Sequence, residues 1–150
     1  MGAARWADAE AAARAVDRVR PLIDAALACR AMGESGFLHV VVMDPLAAGL
    51  PFEQAVLYEE SFGDTRRWDA DYGAYARRKA ALSWRTGLDS HTALAARPHL
   101  VAQDETVWGS VCVEGIVVAV SGLNPWYDEA VAGAIAHMFK AEAKAGAQAA

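Results

Sequence analysis

The segment from residue 104 to residue 144 constrains the fold of this chain more than any other part of the sequence. Two runs rich in Val and Ile, at about 107–113 and 116–121, are separated by Glu114 and Gly115. β-Branched runs that flank such a pair predict a β-hairpin, because glycine readily adopts the positive φ angles of a tight turn. The second run is apolar without alternation, which predicts a central strand or a strand covered on both faces.

A helix is predicted directly after this hairpin. The second strand breaks at residues 121–122, Asn124 can cap free backbone N–H groups, and Pro125 suits the first helical position. Asp128 and Glu129 lie in the first turn, where negative charge stabilises the positive end of the helix dipole. Apolar residues then recur at helical spacing: Tyr127, Val131, Ala134, Ile135 and Met138.

The first two thirds of the chain alternate helical and strand patterns. Residues 8–32 predict a long Ala-rich helix, which Pro21 kinks or splits. Its thin apolar face suits close packing against a neighbouring element, and an exposed Ala-rich arm is the alternative. The remaining predicted elements are a buried strand at 37–44, a polar strand at 54–60, a helix at 68–86, a short helical turn at 91–96 and a candidate fifth strand at 99–103.

This order of elements predicts an α/β (α+β) fold, a sandwich in which helices pack on an antiparallel sheet of about five strands. At 150 residues and 55% hydrophobic content, the chain is long and apolar enough for one packed domain. Within that single domain, 1–150, we expect an N-terminal helix over about 1–33, a core over 34–140 and a frayed tail over 141–150.

Composition argues against several classes of function. The net charge of −5 disfavours non-specific nucleic-acid binding, because phosphate recognition requires a basic surface. The chain has no run of 18 apolar residues, and its charged N-terminal segment is unlike a secretory signal. We therefore expect a cytoplasmic protein without nucleic-acid or membrane partners. Cys29 and Cys112 form no CxxC pair, which argues against a zinc site and covalent haem attachment.

Lys79 is the most unusual position in the predicted 68–86 helix. At about 100° per residue, this lysine falls in the middle of a largely aromatic face. A lysine there must extend to the surface, pair with a carboxylate or line a polar pocket. Asp128 and Glu129 are candidate partners, and Arg78 is a candidate second donor to an anionic ligand. The face consists of Trp68, Tyr72, Tyr75, Leu82, Ser83 and Thr86.

The turn between the hairpin and the last helix is a weaker candidate for an anion site. Free backbone N–H groups in the turn at 121–124, which includes Ser121 and Gly122, can hold a carboxylate or a phosphate. Asp128 and Glu129 already occupy the same end of the helix, which weakens this prediction. The chain contains no GxGxxG, GxxxxGK or GxSxG motif, so neither a phosphate loop nor a serine nucleophile elbow is indicated.

Two short segments of the chain carry a resemblance to a known family. The first is Val-Ser-Gly-Leu at 120–123, which precedes Asp128 and an Ala/Val-rich helix. The second is an aromatic–Arg–Lys–Ser pattern formed by Trp68, Arg78, Lys79 and Ser90. Together they resemble the haem-degrading-domain superfamily, which includes the GlcG/HbpS-like proteins, and most closely its UPF0303 branch.

The resemblance implies a profilin-like sandwich that binds haem or another small ligand, such as a small carboxylate. The chain departs from the family at 108–112, where a Gly-Gly pair and a proline are usual, and at Glu129, where many members of the branch have histidine. No residue is assigned a catalytic role. We expect the ligand site to be formed by Trp68, Tyr75, Arg78, Lys79, Ser121, Gly122 and Asp128.

If haem is the ligand, His91 or His99 is the expected axial ligand, because haem iron accepts a single protein histidine. Both lie in a predicted loop region between the two segments that carry the resemblance. His39 falls in a predicted strand and His137 in the last helix, where a lone histidine is usually a hydrogen-bonded structural residue.

The alternative function is a non-catalytic oligomeric scaffold or protein-interaction module. Five tryptophans and the Ala-rich first helix suit contacts between subunits. The resemblance also implies ring-like or dimer-based assemblies, so we expect a homo-oligomer. A Soret absorption band after addition of haemin would favour the ligand-binding function over the scaffold.

Overall fold

The computed structural model of the protein describes residues 7–68, 71–102 and 108–149. Within these ranges the chain forms five α-helices, four strands and three short 3₁₀ turns. The helices are α1 (Ala9–Leu27), α2 (Phe52–Ala55), α3 (Tyr72–Thr86), α4 (Ser90–Ala96) and α5 (Pro125–Ala149). The strands are β1 (Phe37–Met43), β2 (Val56–Gly63), β3 (Ser110–Val113) and β4 (Ile116–Ser121).

The four strands form one antiparallel sheet in the order β2-β1-β4-β3. β1 and β4 therefore lie at its centre, and all six residues of β4 are buried, as the unbroken apolar run predicted. His39 of β1 lies opposite Ser61 of β2 on one side and Ser121 of β4 on the other. This register brings polar residues of three strands together near one end of the sheet.

Helices cover both faces of the sheet. α1 and α5 pack on the face to which Leu38, Val40 and Val42 of β1 belong. α3 packs on the opposite face of the sheet. There Val41 and Met43 of β1 belong to one buried cluster with Ala76 and Ala80 of α3. The predicted sandwich of helices on an antiparallel sheet is thus confirmed, with four strands among the described residues where about five were expected.

The turn at Glu114 and Gly115 confirms the predicted hairpin. Both residues have positive φ, 51° and 84° respectively, and Val113 pairs with Ile116 across the turn. Positive φ at both central residues matches the two-residue turn that follows the right-handed twist of paired strands. β3 begins at Ser110, and the part of the predicted strand before residue 108 lies outside the described residues.

α1 is one continuous helix with Pro21 inside it, so of the two predicted effects of this proline, a kink or a split, the split is wrong. The carboxylate of Asp8 caps its first turn by accepting a hydrogen bond from the Ala11 N–H at 2.9 Å. The helix ends at Leu27, five residues before the predicted end at Met32. One face of α1 is buried beside α5, so the exposed-arm alternative is wrong. The buried residues are Ala11, Ala12, Ala15, Val16, Val19, Ile23 and Ala26.

The candidate fifth strand at 99–103 is wrong for the residues that the structure describes. Pro98–Leu100 forms a 3₁₀ turn, residues 101–102 have no regular structure, and residue 103 lies outside the described ranges. Proline at the first position of the turn fixes φ near the helical value and removes a donor that a ladder would need. The predicted helical turn at 91–96 is confirmed as α4.

The frayed tail predicted for 141–150 is also wrong, because α5 continues to Ala149. The Ala, Glu and Lys residues of this segment have high helix propensity. Glu142 in addition forms ion pairs with Arg14 and Arg18, which hold this part of α5 beside α1.

Two further findings concern the helices. α3 begins at Tyr72 and not at Trp68, since the Asp71 carboxylate caps it by accepting from the Ala74 N–H at 3.0 Å. Gly87 ends α3 with φ of 70°, as predicted. Within the described ranges, no helix is both long enough and apolar enough to cross a bilayer.

Candidate functional site

Lys79 lies on the buried face of α3, as helical periodicity predicted. The residue is only 2% exposed, whereas Arg77 and Arg78 beside it are exposed. Ala76 and Ala80 flank it on the same face and are fully buried. Because alanine adds little bulk, α3 can pack close to the sheet there, and the long side chain of Lys79 reaches past the helix into the protein interior.

The ammonium group of Lys79 meets a carboxylate and a carbonyl. Its Nζ donates to Asp128 Oδ2 at 3.1 Å and to the Val120 carbonyl oxygen at 2.9 Å. The side chains of both charged partners are 2% exposed. Asp128 is thus the partner of Lys79, and Glu129, the other candidate, is not. A charged lysine in this position needs such a partner, because an isolated buried charge is very unfavourable.

Asp128 also closes the turn between β4 and α5. Its Oδ1 accepts from the Leu123 N–H at 2.8 Å, and the Gly122 N–H is a second backbone donor to the carboxyl. Of the turn's backbone N–H groups, those of Gly122 and Leu123 are therefore used by a residue of the same chain. α5 begins at Pro125, as predicted, and the side chain of Asn124 before it donates to the Ala31 carbonyl at 3.2 Å.

Burial dominates the protonation of this pair. It raises the pKa of Asp128 to about 7, and the opposing effects of Lys79 and of the backbone donors are smaller. Burial likewise lowers the pKa of Lys79, against the stabilising effect of Asp128 on its charged form. The ion pair and the neutral pair carry the same net charge and differ only by transfer of one proton over the 3.1 Å contact.

Gly109 provides the space for this pair, and no sequence pattern predicted this role. A Cβ atom at residue 109 would lie 2.8 Å from Asp128 Cβ, 2.8 Å from the Val120 carbonyl oxygen and 2.9 Å from Lys79 Nζ. Its φ of 140° also disfavours any residue with a side chain. A glycine directly before a strand is the only signal in the sequence, and it does not reveal which side chains approach.

A pocket of about 210 Å³ opens above the pair. It collects five of the seven predicted ligand-site residues: Tyr75, Lys79, Ser121, Gly122 and Asp128. Tyr72, Leu123 and Pro125 complete its lining. Tyr72 belonged to the predicted aromatic face, but its place in the site depends on the approach of the β4–α5 turn to α3. We call this the Lys79 pocket.

Two predicted ligand-site residues do not line the Lys79 pocket. Arg78 is exposed and lies over the Tyr75 ring, with its guanidinium carbon 5.3 Å from the ring centroid. Trp68 lies beside Phe37 and Tyr72, with ring centroids 6.2 and 5.9 Å away. Its buried indole Nε1 has no hydrogen-bond partner among the described residues.

Trp68 contributes instead to a second pocket, of about 380 Å³, which we call the His39 pocket. His39 Nε2 lies 2.9 Å from Glu59 Oε1, and its Nδ1 lies 2.7 Å from Ser61 Oγ. Arg77 pairs with both oxygens of Glu59. The cross-strand register brings these polar side chains together, which the sequence did not predict. Asp71, Gly73 and Ala74 also line this pocket.

Three buried serines fix the strand beside the Lys79 pocket. Ser90 Oγ accepts from the N–H groups of Gly109 and Ser110, both at 3.0 Å. The Ser110 hydroxyl donates to the Lys79 carbonyl at 2.8 Å and lies 2.7 Å from Ser83 Oγ. Ser90, which belonged to the resemblance, therefore acts through β3 and does not line the Lys79 pocket.

The two predicted iron ligands lie outside the Lys79 pocket. His91 is in α4, exposed, with its ring centroid 3.6 Å from that of Trp108. His99 is exposed in the 3₁₀ turn. Over the described part of the chain, no cluster of three or more His, Cys, Asp or Glu residues is arranged to hold a metal ion.

Comparison with protein-family models, with curated proteins and with solved structures found no match to this chain. The resemblance to the haem-degrading-domain superfamily therefore stays a prediction. The structure contains a small pocket over the buried Lys79–Asp128 pair. The chemistry of these two side chains is the starting point for a proposal of function.

Proposed function

We propose that the protein is a small-ligand-binding domain that holds a small carboxylate in the Lys79 pocket. The observation that supports this most is the convergence of a buried lysine, a buried carboxyl group and two tyrosines on one pocket of about 210 Å³. Pockets that enclose drug-sized ligands measure roughly 300–1,000 Å³, so a molecule of only a few heavy atoms suits this one.

Within the described residues, Lys79 has one donor left for a ligand. An ammonium group has three N–H bonds, and those to Val120 and Asp128 use two of them. The third can donate to a carboxylate oxygen. Tyr72 and Tyr75 supply aromatic walls, and a ligand packed against them would displace water and so strengthen a charge-assisted hydrogen bond.

Protonation of Asp128 would adapt the pocket to an anion. With a pKa raised to about 7, this carboxyl group is neutral in part of the molecules at neutral pH. A protonated Asp128 beside a charged Lys79 leaves one positive charge to attract a carboxylate. Binding should therefore be accompanied by proton uptake, and the affinity should rise as the pH falls from about 8 to about 6.

Haem, which the resemblance implies, does not fit the Lys79 pocket as these residues form it. The volume is below that of pockets for drug-sized ligands, and His91 and His99 lie elsewhere. We therefore propose a small carboxylate, in preference to haem, as the ligand of the Lys79 pocket. A Soret band with haemin that is lost when both histidines are changed to alanine would reverse this order.

Thermal unfolding in the presence of lactate tests the proposal. A ligand at about 100 times its dissociation constant stabilises the folded state by about 2.7 kcal/mol, which gives a clear rise in Tm. The rise should disappear in Tyr75→Ala, which removes a wall and leaves the ion pair intact. Trp84→Ala is the matched control, because Trp84 is on the same helix and bonds to the Leu50 carbonyl, away from the pocket. Equal shifts in both variants would refute the site.

We retain self-association in the cytoplasm as a second part of the proposal. Trp126 is 56% exposed at the start of α5, next to Pro125 of the pocket lining. Exposed aromatic residues are frequent in the centres of subunit interfaces. Light scattering at micromolar concentration should give a mass well above 15.9 kDa, and a monomer mass would exclude both self-association and the scaffold function.

A further inference from the structure

The Lys79–Asp128 pair contains the two groups that a nucleophilic amine reaction needs: an amine and a neighbouring proton donor. Lys79 Nζ and Asp128 Oδ2 are 3.1 Å apart, and both side chains are 2% exposed. Transfer of one proton from the ammonium to the carboxylate creates a neutral amine beside a carboxylic acid. Burial favours this neutral state, since it lowers the pKa of Lys79 and raises that of Asp128 to about 7. A desolvated lysine with a free amine is a nucleophile toward carbonyl groups.

We propose that Lys79 forms a reversible imine with the carbonyl carbon of a small α-keto acid bound in the Lys79 pocket, and that Asp128 transfers the protons. This inference rests on the proposed function, because the carboxylate of the keto acid is the group that the pocket would hold. It adds the class of ligand, a carboxylate with an adjacent carbonyl group, and a covalent step.

The step balances without an oxidant or a reductant. The Nζ lone pair forms a bond to the carbonyl carbon, and the C=O π electrons move to oxygen, which takes the proton of the Asp128 carboxyl group. The resulting carbinolamine nitrogen returns a proton to the Asp128 carboxylate. That proton then goes to the hydroxyl group as the C–O bond breaks, and one water molecule leaves as the C=N bond forms.

The surroundings hold the amine in a fixed position for this attack. The Val120 carbonyl accepts from Nζ at 2.9 Å, and the absence of a side chain at Gly109 leaves Nζ room beside Asp128. Tyr72 and Tyr75 line the pocket. A keto acid that fills this pocket would displace water from it, which would slow hydrolysis of the imine.

Reductive trapping with pyruvate tests the proposal on the unmodified protein. Sodium cyanoborohydride converts an imine into a stable secondary amine, which intact-mass measurement and peptide mapping locate. The sequence has only two other lysines, Lys140 and Lys144, both on α5, and they serve as internal controls. We expect most of the label on Lys79, because its lowered pKa raises the fraction of free amine and the pocket would hold the keto acid beside Nζ.

Lactate is the matched ligand, because it has a hydroxyl group where pyruvate has the carbonyl group. It should give no adduct and should reduce the labelling of Lys79 by pyruvate. Lys79→Arg keeps the positive charge but cannot form an imine, so its total labelling should fall to that of the two α5 lysines and the α-amino group of the chain. If this variant does not fold, the mapping on the unmodified protein still decides the question.

The outcomes separate this inference from the proposed function. A rise in Tm with lactate, together with no preferential adduct on Lys79, overturns the imine and leaves the carboxylate site in place. No change in Tm with either acid and no adduct on Lys79 overturns both. An adduct spread equally over the three lysines overturns the imine at this pocket.

Discussion

Asp128 and Glu59 are both paired with a basic residue of α3, yet the two carboxyl groups have opposite pKa shifts. Asp128 meets Lys79 at 2% side-chain exposure, and burial raises its pKa to about 7. The side chain of Glu59 is 20% exposed, and its hydrogen bond to Arg77 lowers its pKa. Arg77 and Lys79 are two residues apart on one helix. Depth below the surface, and not the type of partner, decides whether desolvation or the ion pair dominates.

The two pairs also differ in what surrounds them. Glu59 is held by Arg77 and by the His39 ring at 2.9 Å, in the wider His39 pocket. Asp128 is held by backbone N–H groups and Lys79 beneath a small pocket with aromatic walls. Solvent screens the Glu59–Arg77 pair. Substitutions in the buried Lys79–Asp128 pair should therefore change the free energy of unfolding more than substitutions in the Glu59–Arg77 pair.

Removal of the Lys79 ammonium group should give the largest loss of stability. Lys79→Met leaves the Asp128 carboxyl group buried without its cation, which should lower the free energy of unfolding by about 3–5 kcal/mol at pH 8. Chemical denaturation measures this loss. The loss should shrink at pH 5, where Asp128 can accept a proton. Arg77→Met is the control and should cost no more than about 1 kcal/mol, because the Arg77 side chain is 48% exposed and solvent screens its charge. Equal losses would contradict the comparison.

Gly109→Ala should be the next largest change. The added methyl group would overlap the Val120 carbonyl and the Lys79–Asp128 pair, and overpacking of this kind costs about 1–3 kcal/mol, in addition to backbone strain. Gly115→Ala is the matched control, because residue 115 has positive φ but no atom within 4 Å of a new Cβ. Thermal unfolding of both variants separates crowding from strain, and a smaller loss at 109 than at 115 would show that the pair is not tightly enclosed.

The dependence of stability on pH should have opposite signs at the two carboxyl groups. Asp128 has a pKa of about 7 when folded and 3.8 ordinarily, so the folded state binds the extra proton. Its contribution to stability is complete below about pH 4 and is lost as the pH rises through 7. Urea unfolding from pH 4 to pH 8 should therefore show the unmodified protein losing stability relative to Asp128→Asn. Parallel curves would contradict the raised pKa.

Glu59 should behave in the reverse way. Its pKa is lowered in the folded state, so its contribution is present above its usual value of 4.5 and is lost as the pH falls. Compared with Glu59→Gln, the unmodified protein should lose stability on acidification below about pH 5. A gain in relative stability at low pH would show that burial also dominates at this site.

High salt should weaken the Glu59–Arg77 pair more than the Lys79–Asp128 pair, and this is the smallest of the expected effects. At about 1 M salt the Debye length is about 3 Å, so an exposed pair is screened and a buried pair is not. A double-mutant cycle on Glu59 and Arg77 should lose most of its coupling energy, which is about 1 kcal/mol or less. The cycle on Asp128 and Lys79 should change little. Equal salt sensitivity would place both pairs in the same environment.

Local sequence patterns were sufficient for much of the fold. The Glu114-Gly115 turn, the buried β4 strand and the end of α3 at Gly87 follow from conformational preferences of neighbouring residues. The burial of Lys79 follows from helical periodicity, which depends only on spacing along one element. Asp128 could be named as a candidate partner of Lys79 because few carboxyl groups lie near the expected ends of the helices.

Contacts between distant segments decided the rest. The Glu59–Arg77 pair and the His39 pocket arise from the register of β1 against β2 and from the packing of α3 on that face. The Lys79 pocket requires residues 109 and 120–128 to approach α3 within a few ångströms, which no local pattern encodes. The raised pKa of Asp128 also results from contacts between distant segments, because these contacts bury its carboxyl group. Asp in a first helical turn is ordinarily a solvated residue that complements the helix dipole, and only the layers packed around it remove the water that would keep it charged.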